Sequence, residues 1–515
     1  MRIKPGVVLL ALLASGVAAA APLPNYQTKT PYEPRQDMAT YEAPPAAYMP
    51  VFTQMLARHG SRGLTSFKAD LALYNMWLQA QKQGALMPLG RQLGPDILAL
   101  MRANFVLGYG VPGISTPGYG NETQQGIAEH VDLARRMAVR LPALFAGNDA
   151  RKHIVVVTSG KDRAVDSGAF FVASLLKQQP QLKPAVVYPP SRAPMGETDH
   201  ASRPVGTDRY LLYFHKLEKT RDRVADPVDP LYQTYQASQA YQAYAKSAAL
   251  SDKEAAVLRQ PRVMAASRAA LERLFTKAFL DKLDRGELQF ANTGTQSFSS
   301  ADGKFSRTLK GDGSEEIASS TDAALLLYAL YCAAADMQVE LKADFTRYVL
   351  PEQADVFAYV NDAQDFYKKG PGMTQQDGVT WRMAHTLKDD FLQEADAVAS
   401  GNLAHRAKLR FAHAETVIPL AALLQIPGMA ETLPAESLYT YENSAWRGAD
   451  VAPMAANIQW DLYRNDTGSV VLRMLYNERE TDFKPACDAA RLRPGSHFYV
   501  YAKLRPCLAD GALSM

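Results

Sequence analysis

The chain has 515 residues, 47% of them apolar, with 56 Lys and Arg against 53 Asp and Glu for a formal net charge of +3. That length and apolar content can fill more than one core. The near-neutral balance argues against nucleic-acid binding, and any attraction for a polyanion must come from locally clustered Arg and Lys.

Residues 1–20 read as a cleavable secretory leader: Arg2 and Lys4 precede the apolar run Val7 to Ala14, and small residues follow to Ala21, with cleavage expected near Ala20. No cysteine follows that cut, so a lipid anchor is not expected, and the location implied is periplasmic or secreted. Residues 21–47, rich in Pro, Gln and Tyr, read as an extended lead-in. An α/β core should begin at 48 and run to 179.

At the end of the apolar run Tyr48 to Leu56 stands Arg58-His59-Gly60-Ser61-Arg62. Two guanidiniums therefore bracket a histidine where a strand opens into a loop. Phosphate oxygens match the planar donor fork of arginine, and a neutral imidazole between two such forks can attack phosphorus while they absorb charge. Apolar residues recur at helical spacing from Ile127 to Leu144. Ile154 to Val157 then reads as a buried strand, Thr158 to Arg163 as a turn and Ala164 to Leu176 as a helix, an arrangement that presents backbone N–H groups to an anion and lets Arg163 supply a third guanidinium.

Residues 180–395 change character, with helix-favouring composition from 230 to 290 and further helices expected at Ala323 to Met337 and Val379 to Ala399. This is expected to be an inserted α-helical cap, with Cys332 a buried thiol inside it. The second part of the core, 396–515, opens with Phe411-Ala412-His413-Ala414-Glu415-Thr416 before another apolar run. His and Glu at i and i+2 do not share a helix face, so a strand end or loop is expected, although Glu415 is equally readable as a cap on the following helix. Ser469 to Tyr476 and Ser496 to Lys503 read as strands, and Cys487 and Cys507 are spaced to close a short loop.

Other motifs carry less. Gly108-Tyr109-Gly110-Val111-Pro112-Gly113 matches a dinucleotide fingerprint by letters but leads into further turn residues, and no His-Glu-x-x-His occurs for a zinc hydrolase. His130, His153, His215 and His385 are isolated along the chain.

Arg58-His59-Gly60-Ser61-Arg62, Arg163 and His413-Ala414-Glu415 together resemble the histidine phosphatase superfamily, in the branch of histidine acid phosphatases and phytases, and most nearly its multiple inositol polyphosphate phosphatases. Thr123-Gln124-Gln125-Gly126-Ile127-Ala128-Glu129 resembles that family's Thr-x-x-Gly-x-x-Glu helix start, and Asn457 to Asp461 and Arg473 to Glu478 are similar to late strands of the same proteins. Gly63-Leu64-Thr65 departs from the proline that many relatives carry after the second arginine.

The resemblance implies an α/β fold with a central mixed sheet flanked by helices. It also implies hydrolysis of phytate and other inositol polyphosphates, with His59 as nucleophile, Arg58, Arg62, Arg163 and His413 binding phosphate, Glu415 as proton donor, and no metal or other cofactor. Lys68 and Lys161 are candidates for the non-reacting phosphates, or equally solvated lysines. The alternatives are a broad-specificity histidine acid phosphatase acting on sugar phosphates and a non-catalytic secreted anion-binding protein.

Overall fold

A computed structural model describes residues 25–196 and 204–509. The expected leader lies outside the described residues. The strands are β1 Met49–Arg58, β2 His153–Thr158 and β3 Val186–Val187; four short strands of the insert, β4 Phe290–Ala291, β5 Thr295–Ser299, β6 Ser306–Lys310 and β7 Glu316–Ile317; and β8 His405–Ala412, β9 Asn457–Arg464, β10 Val470–Tyr476, β11 Arg479–Thr481 and β12 Phe498–Val500.

β1 is buried from Phe52 to Arg58, which suits a strand covered on both faces. Its side chains alternate with period two. Phe52 and Leu56 join the core that contains Val155, Val157, Val417 and Trp460, while Met55 and Ala57 face the core of Ile154, Val156, Leu133 and Phe171. The main sheet runs β11-β10-β9-β1-β8-β2-β3, with β12 paired to β10. β8 lies parallel to both β1 and β2, whereas β9 is antiparallel to β1, so the sheet is mixed.

Three adjacent parallel strands therefore end at the same edge: β1 at Arg58, β8 at Ala412 and β2 at Thr158. In open α/β sheets the crevice beyond such carboxyl ends is where ligands bind. The helices Gln124–Arg140 and Asp162–Gln178 pack together over one face.

The insert between β3 and β8 is mainly helical and carries two small two-stranded sheets, β4 with β7 and β5 with β6. Its core is shared with chain from elsewhere. The helices Ala69–Lys82 and Gly90–Phe105, which fall within the 48–179 segment expected to be phosphatase core, pack on the insert helices instead, with Leu71, Trp77, Leu93 and Ile97 buried beside Leu271, Phe275 and Leu327. No periodicity could reveal this, because an amphipathic helix states that it has a buried face and not what covers it.

Three other expectations shift. The helix expected from Val379 begins at His385, after the 3-10 turn Arg382–Ala384. The strand expected over Ser496 to Lys503 is only β12, and the chain turns helical at Tyr501–Ala509. The lead-in forms the 3-10 turn Gln27–Lys29 and buries Gln27, Thr28 and Tyr32 against the body.

Cys487 and Cys507 are disulfide-bonded, which ties the C-terminal helix to the 3-10 turn Pro485–Ala490 across 20 residues. Cys332 is free and buried. Among the described residues no helix is long and apolar enough to cross a membrane.

Replacing both Cys487 and Cys507 with Ala should lower the unfolding free energy by about 3 kcal/mol, the chain-entropy value for a loop of this size. Denaturant titration reads this directly, and an unchanged midpoint would show that the link constrains nothing.

Candidate active site

The edge formed by β1, β8 and β2 collects the groups that the sequence singled out. His59 follows β1 and donates from Nδ1 to the Gly60 carbonyl at 2.9 Å. A carbonyl only accepts, so Nε2 keeps the lone pair. His413 follows β8, its ring centroid 5.5 Å from that of His59, and its Nε2 shares a 2.8 Å hydrogen bond with Ser159 Oγ just beyond β2. Burial, reinforced by the charge of Arg163, Arg58 and Arg62, holds the His59 imidazole far below its usual pKa. Burial and Arg163 do the same to His413. Both rings are neutral at physiological pH.

Three guanidiniums surround this pair. Arg58, the last residue of β1, is anchored by Nη1, which donates to Thr28 O and Ala452 O at 2.5 Å each. Arg62 donates to Gly63 O at 2.8 Å, and burial with Arg163 and Arg58 alongside brings its pKa down to about 9. Arg163 opens the helix Asp162–Gln178. The Nε–H of each of the three is buried and lacks a protein acceptor. Crowded cations with unspent donors form a site for an oxyanion.

Two carboxyls fix the loop from below. Glu122 accepts from Gly60 N at 2.9 Å and from Ser167 Oγ, while Glu129 accepts from Ser61 N and Ser61 Oγ, both at 2.7 Å. Thr123 caps its helix through Gly126 N, and its own N–H donates to Ser61 O at 3.0 Å. Gly60 and Gly126 touch backbone to backbone, and a Cβ on Gly60 would fall 2.5 Å from Gly126 O. The Thr-x-x-Gly-x-x-Glu pattern seen in the sequence is thus the clamp on the His59 loop. Behind it, His130 Nε2 meets Arg58 O at 3.1 Å, so this histidine also belongs to the site's frame.

Glu415 lies at the second position of the helix Ala414–Leu423, with His413 as N-cap. The expected strand end therefore holds for His413 alone, since Glu415 is already in the helical first turn. Its carboxylate pairs with Lys369 Nζ at 3.3 Å and keeps 35% exposure. Against burial, the Lys369 ammonium holds the carboxyl well below the usual range.

Of these groups Arg58, His59, Arg62, Arg163 and Glu415 line one cavity of about 560 Å³, together with Lys29, Lys68, Lys216 and Lys369. Lys68 is steadied there by Asp312 at 3.1 Å and Ser314. Lys161 does not line that cavity. It borders an adjoining hollow of about 440 Å³, where its ammonium leans over the Tyr213 ring, and the two spaces share Thr65 and Arg163.

Sequence reasoning missed Lys29, Lys216 and Lys369, which carry no motif. It also left His215 isolated, although its ring lies 6.1 Å from that of His413. Only Glu129 had a legible signal, inside the Thr-x-x-Gly-x-x-Glu pattern.

The family model described as histidine phosphatase superfamily (branch 2) matches residues 51–477. Among solved structures, the chain is similar to a Bifidobacterium longum multiple inositol polyphosphate phosphatase in complex with inositol hexasulfate, at 32% identity and a TM-score of 0.79 over 94% of this chain and 97% of that one. It also shares a fold with a D. castellii phytase, at 13% identity and a TM-score of 0.59 over 95% and 85% of the two chains. Human multiple inositol polyphosphate phosphatase 1 is 28% identical over 138 residues, which span 25% of this chain and only 28% of that protein.

Burial raises the carboxyl of Glu122 from 4.5 to about 8 and that of Glu129 to about 7. A raised folded-state pKa means that the neutral acid favours the fold. This contribution is complete below 4.5 and drains away as pH climbs through 7 to 8. Glu122→Gln, which stays neutral, should therefore flatten the decline of thermal stability between pH 5 and 8, with each unit of titration shift worth on the order of 1.4 kcal/mol. Parallel declines for the variant and the parent protein would show that Glu122 titrates normally.

Proposed function

The chain belongs to the histidine phosphatase superfamily, branch 2, and from that premise we propose that it is a phosphomonoesterase that hydrolyses phytate and lower inositol phosphates through a phosphohistidine intermediate. One observation carries this most directly: an imidazole with a free Nε2 lone pair stands among three buried guanidiniums whose Nε–H donors have no protein acceptor. The Bifidobacterium longum phosphatase, similar over nearly the whole chain, supports the substrate class. So do Lys29, Lys68, Lys216 and Lys369 around the cavity, since a polyphosphorylated ring needs cations for the phosphates that do not react.

In this mechanism Arg58, Arg62, Arg163 and His413 hold the phosphoryl oxygens. His59 Nε2 attacks phosphorus in line, the ester P–O bond breaks, and Glu415 protonates the departing alkoxide. Water then attacks the phosphohistidine with Glu415 as base, which returns His59 and inorganic phosphate. Phosphoryl transfer is accelerated mainly by positioning and charge stabilisation, and the guanidiniums supply both. An inositol alkoxide is a poor leaving group, so its departure depends on the acid.

We place the enzyme outside the cytoplasm, in the periplasm or secreted. The charged start, apolar run and small-residue end of the first 20 residues support export, and the Cys487–Cys507 bond suits an oxidising compartment.

The parent protein should release phosphate from phytate at mildly acidic pH with chelator present, through several inositol phosphate isomers, and His59→Ala should release none. Glu415→Gln should slow phytate at least tenfold more than p-nitrophenyl phosphate, whose phenolate leaves without help. Equal losses on both would remove the acid role. Activity confined to sugar phosphates would point to a broad acid phosphatase, and no release from any ester to an anion-binding protein.

A further inference from the structure

The acid proposed above presents a difficulty that the structure also answers. Glu415 must give a proton to the leaving group, yet in the free site it is paired with an ammonium. Lys369 Nζ lies 3.3 Å from Glu415 Oε1 and 3.1 Å from Asp365 Oδ1, and Gln27 Nε2 donates to Asp365 Oδ2 at 3.1 Å. The pair bridges the two bodies of the molecule. Lys369 follows the insert helix Pro351–Lys368, while Glu415 belongs to the core.

The other groups facing Glu415 do not reverse this. His215 and Tyr213 approach from the first part of the insert, Tyr241 from an insert helix, Arg58 and Arg62 from the β1 loop, and Arg163 from the helix after β2. Burial pushes the carboxyl toward its neutral form, and the Lys369 ammonium beside it opposes that and favours the carboxylate. Unlike the three arginines, Lys369 carries a compact point charge on a flexible stem, and it borders the same cavity as Glu415 and His59. An incoming phosphate group competes directly for it.

We propose that Lys369 is a positioning residue that keeps Glu415 a carboxylate in the free site and frees it for protonation when a second phosphate of the substrate, beside the one at His59, takes the ammonium. This rests on the phosphatase reading and adds a condition to it: the substrate's neighbouring phosphate arms the acid.

The proton balance closes. Phosphate monoesters lose their second proton near pH 6, so at mildly acidic pH a phosphate arrives as P–OH. Its proton passes to the Glu415 carboxylate as Lys369 transfers to the phosphate. Glu415 then delivers that proton to the ester oxygen while the bond from that oxygen to phosphorus breaks and the His59 Nε2–P bond forms. The alcohol leaves neutral, and Glu415 is again a carboxylate, ready to act as base toward water.

A substrate with one phosphate lacks the arming group. The test compares kcat and KM against pH for phytate, myo-inositol monophosphate and p-nitrophenyl phosphate. In the parent protein the basic limb of kcat should lie at least one pH unit higher for phytate than for the monophosphate. Lys369→Met should raise the ratio of kcat on inositol monophosphate to kcat on p-nitrophenyl phosphate by about tenfold, the change in protonated fraction that one unit of carboxyl titration gives. Lys369→Arg should keep the parent ratio.

Independently of any variant, carbon NMR of the Glu415 carboxyl in the parent protein should show its titration rising when inositol hexasulfate binds. Coincident basic limbs, an unchanged or reduced ratio in Lys369→Met, or a Glu415 titration indifferent to the hexasulfate would each overturn the proposal. Failure of the parent protein to turn over any of the three esters would instead sink the phosphatase reading, and the NMR titration would still judge Lys369.

Discussion

Positive charge concentrated around a neutral imidazole is the constraint that the rest of the molecule answers to. Arg58, Arg62 and Arg163 repel one another in a region largely closed to water, where such repulsion is strongest. The fold accepts that cost by anchoring each cation differently. Arg58 spends Nη1 on carbonyls from the lead-in and from the segment before β9, Arg62 spends Nη1 on Gly63 O, and Arg163 rides the start of a helix. Asp336, buried at the end of an insert helix, faces Lys29, Arg62 and Arg58 as counter-charge, though burial still lifts its carboxyl to about 6. The cap thus contributes electrostatics as well as a wall.

How much of this was legible follows from the kind of signal each part leaves. The grouping of these side chains was readable because they lie in contiguous fragments at strand ends: Arg58 to Arg62, Thr158 to Arg163, and His413 to Glu415. Parallel strands bring such fragments to one edge, so a short motif after each of three apolar runs was enough to assemble the centre. The frame was less readable. Lys369 and Lys216 are single lysines among many, and only the folded chain brings them to the cavity. His215 looked isolated for the same reason.

β8 illustrates the limit from the other side. Arg406, Lys408 and Arg410 alternate with Ala407, Leu409 and Phe411, which by pattern alone suggests a strand half open to solvent. Arg406 and Arg410 are in fact fully buried, and Lys408 nearly so. Lys408 reaches Asp390 and Glu394 on the helix His385–Ala399 at 2.6 and 2.9 Å, and Arg410 pairs with Asp390 as well. Alternation reports the pleat faithfully, while the identity of the partner behind each face comes only from tertiary structure. The helices Ala69–Lys82 and Gly90–Phe105 taught the same lesson when their apolar faces turned out to belong to the insert.

The pairing of β1 has a consequence for how the protein comes into being. β1 sets Leu56 opposite Arg410 on one side and Ile458 on the other, and the guanidinium of Arg58 reaches the carbonyl of Ala452 as well as that of Thr28. Contacts that span some 400 residues form slowly and late, because the loops they close are long. During synthesis the insert helices that share a core with Ala69–Lys82 and Gly90–Phe105 can pack early, whereas the first strand must wait for the last quarter of the chain. The anion-binding ring is therefore the final part to be built, and a growing chain remains chemically inert toward phosphate esters until it is nearly finished.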